Sequence, residues 1–415
     1  MKEYDVLVVG AGAGTHVVFS ALARGLRVAL VERKFFGGTC LNVGCVPSKM
    51  LIAPADRVME IEESGRLGIR ARIEGVDFPW LMDRMRERVR QGSGNLLGML
   101  RQEKSLDIYE GEGRFVGDMT VEVDGERAKG RRVFIASGAR PLVPPVEGME
   151  KVKFLDNESV LGLRERPESL IIIGGGFVAV EYAHFFAAVG TKVTLIGRNA
   201  RLVPGEEPEI SDLLLRRLAE RMEVRTGTEA LSVGSEAGGV AVVARDVKSG
   251  EEAEHRATHL MVAAGRRSNA DRLDVARTGV ETDGRGFVKV NEYLETGRQN
   301  IWCLGDANGR HMFTHTAYKE AEVAWHNAEN PGDKRPMDYS AAPHAVYTRP
   351  QIASVGLTEA EARKGRRVLV GLAKYSDSPK GKAMREEDGF VKAIADQKDR
   401  KILGCHIVGP YAPIL

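Results

Sequence analysis

Three patterns of apolar and polar positions divide this chain. Short, nearly unbroken apolar runs lie at Tyr4 to Val9, Leu26 to Val31 and Leu170 to Ile173. Runs of that length fit strands buried on both faces. The first and third lead through glycine-rich turns, Gly10-Ala11-Gly12-Ala13-Gly14-Thr15 and Gly174-Gly175-Gly176-Phe177-Val178-Ala179, into apolar stretches long enough for a helix, the second reaching Val189. A strand follows each helix, Leu26 to Val31 in one case and Lys192 to Ile196 in the other. Between Met50 and Leu106 the period changes. Leu81, Met85, Val89, Leu96 and Leu97 recur among charged residues at helical spacing, which predicts two packing helices flanking the loop around Gly75. Strand, helix and strand in succession, twice over, predict an α/β fold on parallel sheets. This βαβ unit is the only internal repeat, and Pro141 to Pro145 reads as a stiff linker.

A chain of 415 residues with 43% apolar content can bury two or three cores, so it reads as multidomain. Its formal charge of +2 gives no electrostatic case for nucleic acid. The apolar stretch from Val6 to Val31 is interrupted by His16, Arg24 and Arg27 and holds a glycine turn, so it reads as buried strand and helix and no membrane span is expected. Four cysteines in this length are not a secreted disulfide framework, and a cytoplasmic location is expected.

Each glycine turn sits where a dinucleotide fold needs one, after a strand and opening a helix whose N-terminus can hold a pyrophosphate. Gly10, Gly12 and Gly14 form the first, and Glu32 at the end of the following strand is placed to accept a hydrogen bond from a ribose. Thr15 occupies the third glycine position, which puts the tight packing of helix on strand in question. Gly174 and Gly176 form the second turn, and here the strand ends in Gly197-Arg198 with Arg201 behind. Arginine at that place accommodates a 2′-phosphate, so NADPH is favoured over NADH. Phe177 and Glu181, four apart, share a face of the second helix. His184 reads as a packed residue.

Cys40 and Cys45 lie in Gly37-Gly38-Thr39-Cys40-Leu41-Asn42-Val43-Gly44-Cys45-Val46-Pro47-Ser48-Lys49. In a regular helix, residues five apart have Cα atoms about 8.7 Å apart, beyond the roughly 7 Å that a disulfide can span. A bridge therefore needs an irregular turn, for which Gly44 gives room, and Pro47 is tolerated only in a first helical turn. A helix is expected to begin at Cys45 to Pro47, placing Cys45 at an N-terminus with Lys49 one turn on, an environment that favours a thiolate. Zinc would need further ligands at short spacing, and no metal site is expected. Cys303 and Cys405 sit in apolar strand-like runs and read as small buried hydrophobes.

Two dinucleotide folds together with this cysteine segment resemble the pyridine nucleotide-disulfide oxidoreductases, the family of dihydrolipoyl dehydrogenase, glutathione reductase, mycothione reductase and mercuric reductase. Further matches are Ile135-Ala136-Ser137-Gly138-Ala139-Arg140-Pro141, Leu304-Gly305-Asp306, Thr314-His315-Thr316-Ala317 and Val346-Tyr347-Thr348-Arg349-Pro350-Gln351-Ile352-Ala353-Ser354-Val355-Gly356. The resemblance implies two Rossmann-like domains binding FAD and NAD(P), plus an α+β dimerisation domain. The FAD domain would cover residues 1–148 and 270–335, the NAD(P) domain 149–269 and the dimerisation domain 336–415. Cys40 and Cys45 would be the redox-active pair, Cys45 nearer the flavin and Cys40 exchanging with substrate. Lys49 and Glu181 would pair beside the flavin, and Phe177 would stand where many relatives have a gating Tyr. Asp306 would bind the ribityl chain, with Thr39, Ser137, Gly138, His315, Ala317 and Gly265 as further cofactor contacts.

Relatives continue past the position of Leu415 with a His-Pro segment followed by Glu, whose histidine is the acid-base partner of the exchanging thiol. The dimerisation domain is accordingly expected to be incomplete, and neither His344 nor His406 takes that histidine's part. The implied activity is FAD-dependent, NAD(P)H-linked thiol-disulfide oxidoreduction of a small-molecule disulfide or dithiol by a homodimer, similar in plan to dihydrolipoyl dehydrogenase. Mycothione or mercuric reductase activity is the alternative, and a flavin-binding fragment lacking the His-Glu segment is a third reading.

Overall fold

Helices form where the apolar period and the glycine turns place them: α1 (Gly14–Leu22), α2 (Gly38–Val43), α3 (Cys45–Glu62), α4 (Phe78–Leu100), α5 (Phe177–Ala188), α6 (Pro208–Ala219) and α7 (Thr314–Glu329). The computed structural model describes all residues, Met1–Leu415. The chain divides into two compact units. The first comprises Met1–Pro47, Arg86–Arg140 and Arg266–Tyr339, and the second Ser48–Met85, Pro141–Gly265 and Ser340–Leu415. No helix is long and apolar enough to cross a membrane.

The first unit is built on a seven-stranded sheet. Lys2–Val9 lies between Val28–Glu32 and Glu126–Ile135, parallel to both, and Leu106–Glu110 and Ile301–Cys303 extend the parallel part. Parallel strands covered on both faces require continuous apolar sequence, and Val6, Leu7 and Val8 are wholly buried, in cores on opposite faces. The second unit holds a four-stranded parallel sheet in the order Glu223–Thr226, Lys192–Gly197, Ser169–Ile173 and His259–Val262. It also holds a three-stranded antiparallel sheet over residues 228–257 and a five-stranded antiparallel sheet over residues 344–408. α5 is buried almost all round, as its near-continuous apolar sequence requires.

Two sequence expectations are corrected. Thr15 does not loosen the packing of α1 on its strand, because the close contact falls one residue earlier: a Cβ on Gly14 would lie 2.8 Å from Val8 Cγ1 and 3.0 Å from Ala136 Cβ. Thr15 is buried and turns its hydroxyl back to Gly12 O at 2.7 Å. Cys303 is fully buried, whereas Cys405 is only half-buried on Ile402–Val408.

In the first unit, Arg140 ties together the segments around residues 140 and 270. Its guanidinium donates to Ser268 O at 2.7 Å and to both carboxylate oxygens of Asp271 at 2.8 and 2.6 Å. This fork holds the Asp271 carboxyl down to about 2. A carboxyl depressed in the folded state stabilises above its ordinary pKa and loses that contribution as pH falls through the folded value. Asp271→Asn should therefore cost stability above about pH 4, roughly 0.5–1 kcal/mol given the solvent around the pair, and match the parent protein near pH 2. Urea unfolding across that range checks it.

Candidate active site

In the first unit the two glycine-bearing loops meet backbone to backbone. A Cβ on Gly12 would stand 3.4 Å from Gly38 Cα, and one on Gly38 only 2.7 Å from Gly12 Cα. Gly37 and Gly38 both have positive φ, which turns the chain sharply into α2. Asn42 then fixes that short helix, its buried amide donating to Phe36 O at 3.0 Å and Gly38 O at 2.9 Å. Gly44 breaks the helix, and α3 starts at Cys45. The backbone at Gly44, φ −137° and ψ −114°, is neither helical nor extended. Space is what demands glycine there, since a Cβ would lie 2.9 Å from Thr39 O.

Cys40 and Cys45 are thereby brought together across the break, as free thiols sharing a hydrogen bond. That hydrogen bond, helped by burial, pushes the Cys40 thiol above the ordinary range. Cys45 Sγ also lies 3.6 Å from Thr314 Oγ1, at the first residue of α7. Thr314 entered the sequence reading only as the first residue of a family-matched run, without a role of its own, although its place at the start of a helix is a readable signal.

Around the first glycine turn, Glu32 accepts from Ala11 N–H at 2.8 Å and from the N–H groups of Lys34 and Phe35 at 2.8 and 3.0 Å. No side chain caps α1, so its N-terminus is open to an anion. Ser137 Oγ and Thr316 Oγ1 are buried without a partner. Polar atoms orphaned beside an uncapped helix and glycine-only backbone fit a dinucleotide cofactor. Asp306 lies in the short turn Gly305–Ala307, 3.2 Å from Arg266 Nε, and burial lifts its carboxyl above the usual range against that guanidinium's pull. The turn hangs on Glu320, wholly buried, which accepts from Gly305 N–H at 2.5 Å, Asn308 Nδ2 at 3.1 Å and Tyr339 OH at 2.5 Å. Ala317 is buried, whereas His315 is exposed and stacks on Phe313. Gly138 has positive φ, and its carbonyl accepts from Asn269 N–H at 3.1 Å.

In the second unit, Glu181 is buried on α5, and Lys49 Nζ meets its two oxygens at 2.9 and 3.0 Å. Tyr347 N–H donates to the same carboxylate at 3.0 Å, and its ring lies 4.3 Å from Lys49 Nζ. Phe177, first residue of α5, packs on the ring of His344 at 5.7 Å. Neither Tyr347 nor this use of His344 was apparent from the sequence. His184 is buried, as expected, and bonded to Asp56 at 3.0 Å. α5 has no side-chain cap either, and Gly174 and Gly265 both take positive φ at its glycine turn and after the neighbouring strand. Arg201 is engaged by Asp212 at 3.0 Å, while Arg198 is exposed with no ionic partner. The carboxylates of Glu207, Glu209 and Glu359 converge, but the buried Lys392 ammonium fills their centre at 2.8, 3.0 and 2.8 Å. These three together hold Lys392 charged despite its burial.

A dinucleotide-type α/β unit with a hydrogen-bonded dithiol at a helix start, and a second such fold carrying a buried Lys-Glu pair, define a flavoprotein disulfide oxidoreductase. The chain belongs to the pyridine nucleotide-disulphide oxidoreductase family, whose model matches residues 4–321, with the family's dimerisation domain at 342–415. It is 34% identical to mycothione reductase of Mycobacterium tuberculosis, covering 100% of this chain and 91% of the relative. Mercuric reductase of Streptomyces lividans is 35% identical (99% and 87% covered), and dihydrolipoyl dehydrogenase of Bacillus subtilis 34% (99% and 88%). Among solved structures, the HOCl-induced flavoprotein disulfide reductase RclA of Escherichia coli superposes with a TM-score of 0.86 at 27% identity, covering 98% of this chain and 90% of that one. The chain is accordingly an FAD-dependent, NAD(P)H-linked thiol-disulfide oxidoreductase.

Removing Lys49 leaves Glu181 buried with one backbone donor. Lys49→Met should lower stability by about 1–3 kcal/mol, less than a fully buried pair because Lys49 is itself partly exposed. Glu181→Gln with Lys49→Met should recover part of that loss, measured by denaturant unfolding of the FAD-loaded protein.

Proposed function

We propose that this enzyme reduces a small-molecule disulfide with NADPH through Cys40 and Cys45. The observation that carries the reading is the hydrogen-bonded dithiol straddling the break between α2 and α3, with Cys45 exposed at the start of α3. Bound FAD supplies two-electron chemistry between the nicotinamide and the Cys40–Cys45 disulfide. Gly10, Gly12 and Gly14 offer the N-terminus of α1 to its pyrophosphate, Glu32 its remaining acceptor capacity to a ribose and Asp306 a carboxyl to the ribityl chain. Thr39, Ser137, Gly138, His315 and Ala317 complete that set by resemblance.

Cys45 carries the negative charge of the reduced pair, favoured by its helix N-terminus and by the Thr314 hydroxyl at 3.6 Å. Cys40 gives its proton to solvent water and, as the thiolate, attacks one sulfur of the substrate disulfide. The substrate S–S bond breaks, a mixed disulfide forms and one thiolate leaves to be protonated. Cys45 then attacks the Cys40 sulfur, restoring the intramolecular disulfide and releasing the second thiolate, which is also protonated. Lys49 and Glu181 keep a fixed ion pair beside the cofactor, and Phe177 gates the nicotinamide. Gly174, Gly176 and Gly265 line the nucleotide turn.

Arg198 supports NADPH, because it stands exposed and unpaired at the strand end where an acid would favour a free 2′-hydroxyl. Arg201 contributes less, its charge being met by Asp212. Mycothione reductase, mercuric reductase and dihydrolipoyl dehydrogenase are related at 34%, 35% and 34% identity, so identity does not rank substrates. A low-molecular-weight disulfide agrees best with an NADPH-linked reductive direction. The dimerisation domain supports a homodimer.

Anaerobic titration of the FAD-loaded protein with NADPH should raise a long-wavelength thiolate-to-flavin absorbance that Cys45→Ser abolishes without loss of FAD. Persistence of the band in that variant would sink the assignment. Arg198→Glu should raise KM for NADPH at least about tenfold, the scale of one lost charge-assisted contact, and leave KM for NADH within about twofold. Steady-state turnover with mycothiol disulfide, lipoamide and mercuric ion in parallel ranks the substrates, and gel filtration reads the dimer.

A further inference from the structure

Glu206 has no exposed side-chain surface, so its carboxylate must be satisfied from within. Two groups do this: Ser354 Oγ donates to one oxygen at 2.5 Å, and His344 Nε2 lies 2.6 Å from the other. The contact anchors the imidazole at Nε2, and on that ring rests Phe177, 5.7 Å between centroids and inclined by 34°. Phe177 and Glu181 occupy one face of α5, and the strand His344–Val346 with Tyr347 meets that face at two points: His344 meets Phe177 and Tyr347 N–H meets Glu181.

Glu206 is itself part of the nucleotide turn's surroundings. It follows Val203, whose N–H donates to Gly175 O at 2.7 Å from a backbone at φ 41°. A β-branched residue in that conformation is strained, and its neighbours must hold it there. The same loop therefore grips the glycine turn at Gly175 and, three residues on, anchors His344.

We propose that His344, clamped by the buried Glu206, is a positioning residue that latches the Phe177 ring in the place seen here, so that entry of the nicotinamide has to break the ring contact. The proposal rests on Phe177 being the nicotinamide gate. Loosening the latch raises the fraction of molecules ready to accept the nucleotide and so tightens apparent binding.

The test uses the oxidised FAD-loaded enzyme and His344→Gln, whose amide can still donate to Glu206 but offers no ring. Calorimetry should show NADP+ binding about two- to tenfold tighter than in the parent, the worth of one aromatic pair. Binding of 2′-phospho-ADP-ribose, which has no nicotinamide, should be unchanged. In a Phe177→Ala background, His344→Gln should shift NADP+ binding no further. His344→Phe keeps a ring and should retain parental affinity while melting at a lower temperature, because Glu206 then has Ser354 alone. Weaker NADP+ binding by His344→Gln, or an equal shift in the Phe177→Ala background, would overturn the latch. Failure of NADPH to reduce the flavin of the parent enzyme would instead strike the gate itself, and the calorimetric cycle still decides whether the two rings are coupled.

Discussion

The first unit depends on one approach that no side chain can share, the backbone of Gly12 against that of Gly38. The turn that opens α1 leaves a helix N-terminus that no side chain caps, and the turn that opens α2 begins the cysteine segment. Because they touch at Cα, the dithiol is held at a fixed distance from the dinucleotide turn by backbone, the stiffest material available. Flexible side chains could not impose a spacing this short. Asn42 then orients α2, and the crowding at Gly44 sets where α2 ends and α3 starts, which decides that two cysteines five apart come together instead of lying a turn and a half away from each other.

In the second unit the organising constraint is charge. Glu181, Glu206 and Glu207 all follow the second glycine turn, and all are buried. None is neutralised mainly by its own segment. Lys49, Tyr347 N–H, His344, Ser354 and Lys392 supply the partners. A buried carboxylate missing such a partner would be costly, so packing of the residue 344–408 sheet against the nucleotide fold is specified by donor positions as much as by apolar area. The Arg349–Glu63 fork, at 2.9 and 2.5 Å, belongs to the same pattern.

The parallel sheets, the two glycine turns, the helix beginning at Cys45 and the Phe177–Glu181 face were legible because each rests on local rules: apolar runs, proline position and helical spacing. Thr15 was misread because the fingerprint counts positions, whereas the close contact is made at Gly14 by the particular bulk of Val8 and Ala136. Cys405 was read as fully buried because its neighbours are apolar, yet exposure depends on what covers the strand. The contacts that His344, Tyr347 and Glu320 make were not legible, for a different reason. Each gains its meaning from a residue far off in the chain, and no pattern within its own segment points to it. A glutamate following a proline-containing loop, as Glu206 does, looks like an exposed turn residue until its partners are in place.

The cluster at Lys392 bears on how such a protein can change over time. One ammonium answers to Glu207, Glu209 and Glu359, which come from two separate stretches of sequence. Loss of the lysine alone leaves the buried Glu207 without its ammonium, while Glu359 keeps Arg363 and Glu209 keeps solvent, but joint replacement of Lys392 and Glu207 by apolar residues of similar volume can be close to neutral. Substitution at these positions is therefore gated, with drift at one site waiting on drift at another. In a set of related chains such a constraint leaves correlated variation between the α6 entrance and the Phe390–Asp396 strand, a statistical trace of electrostatics.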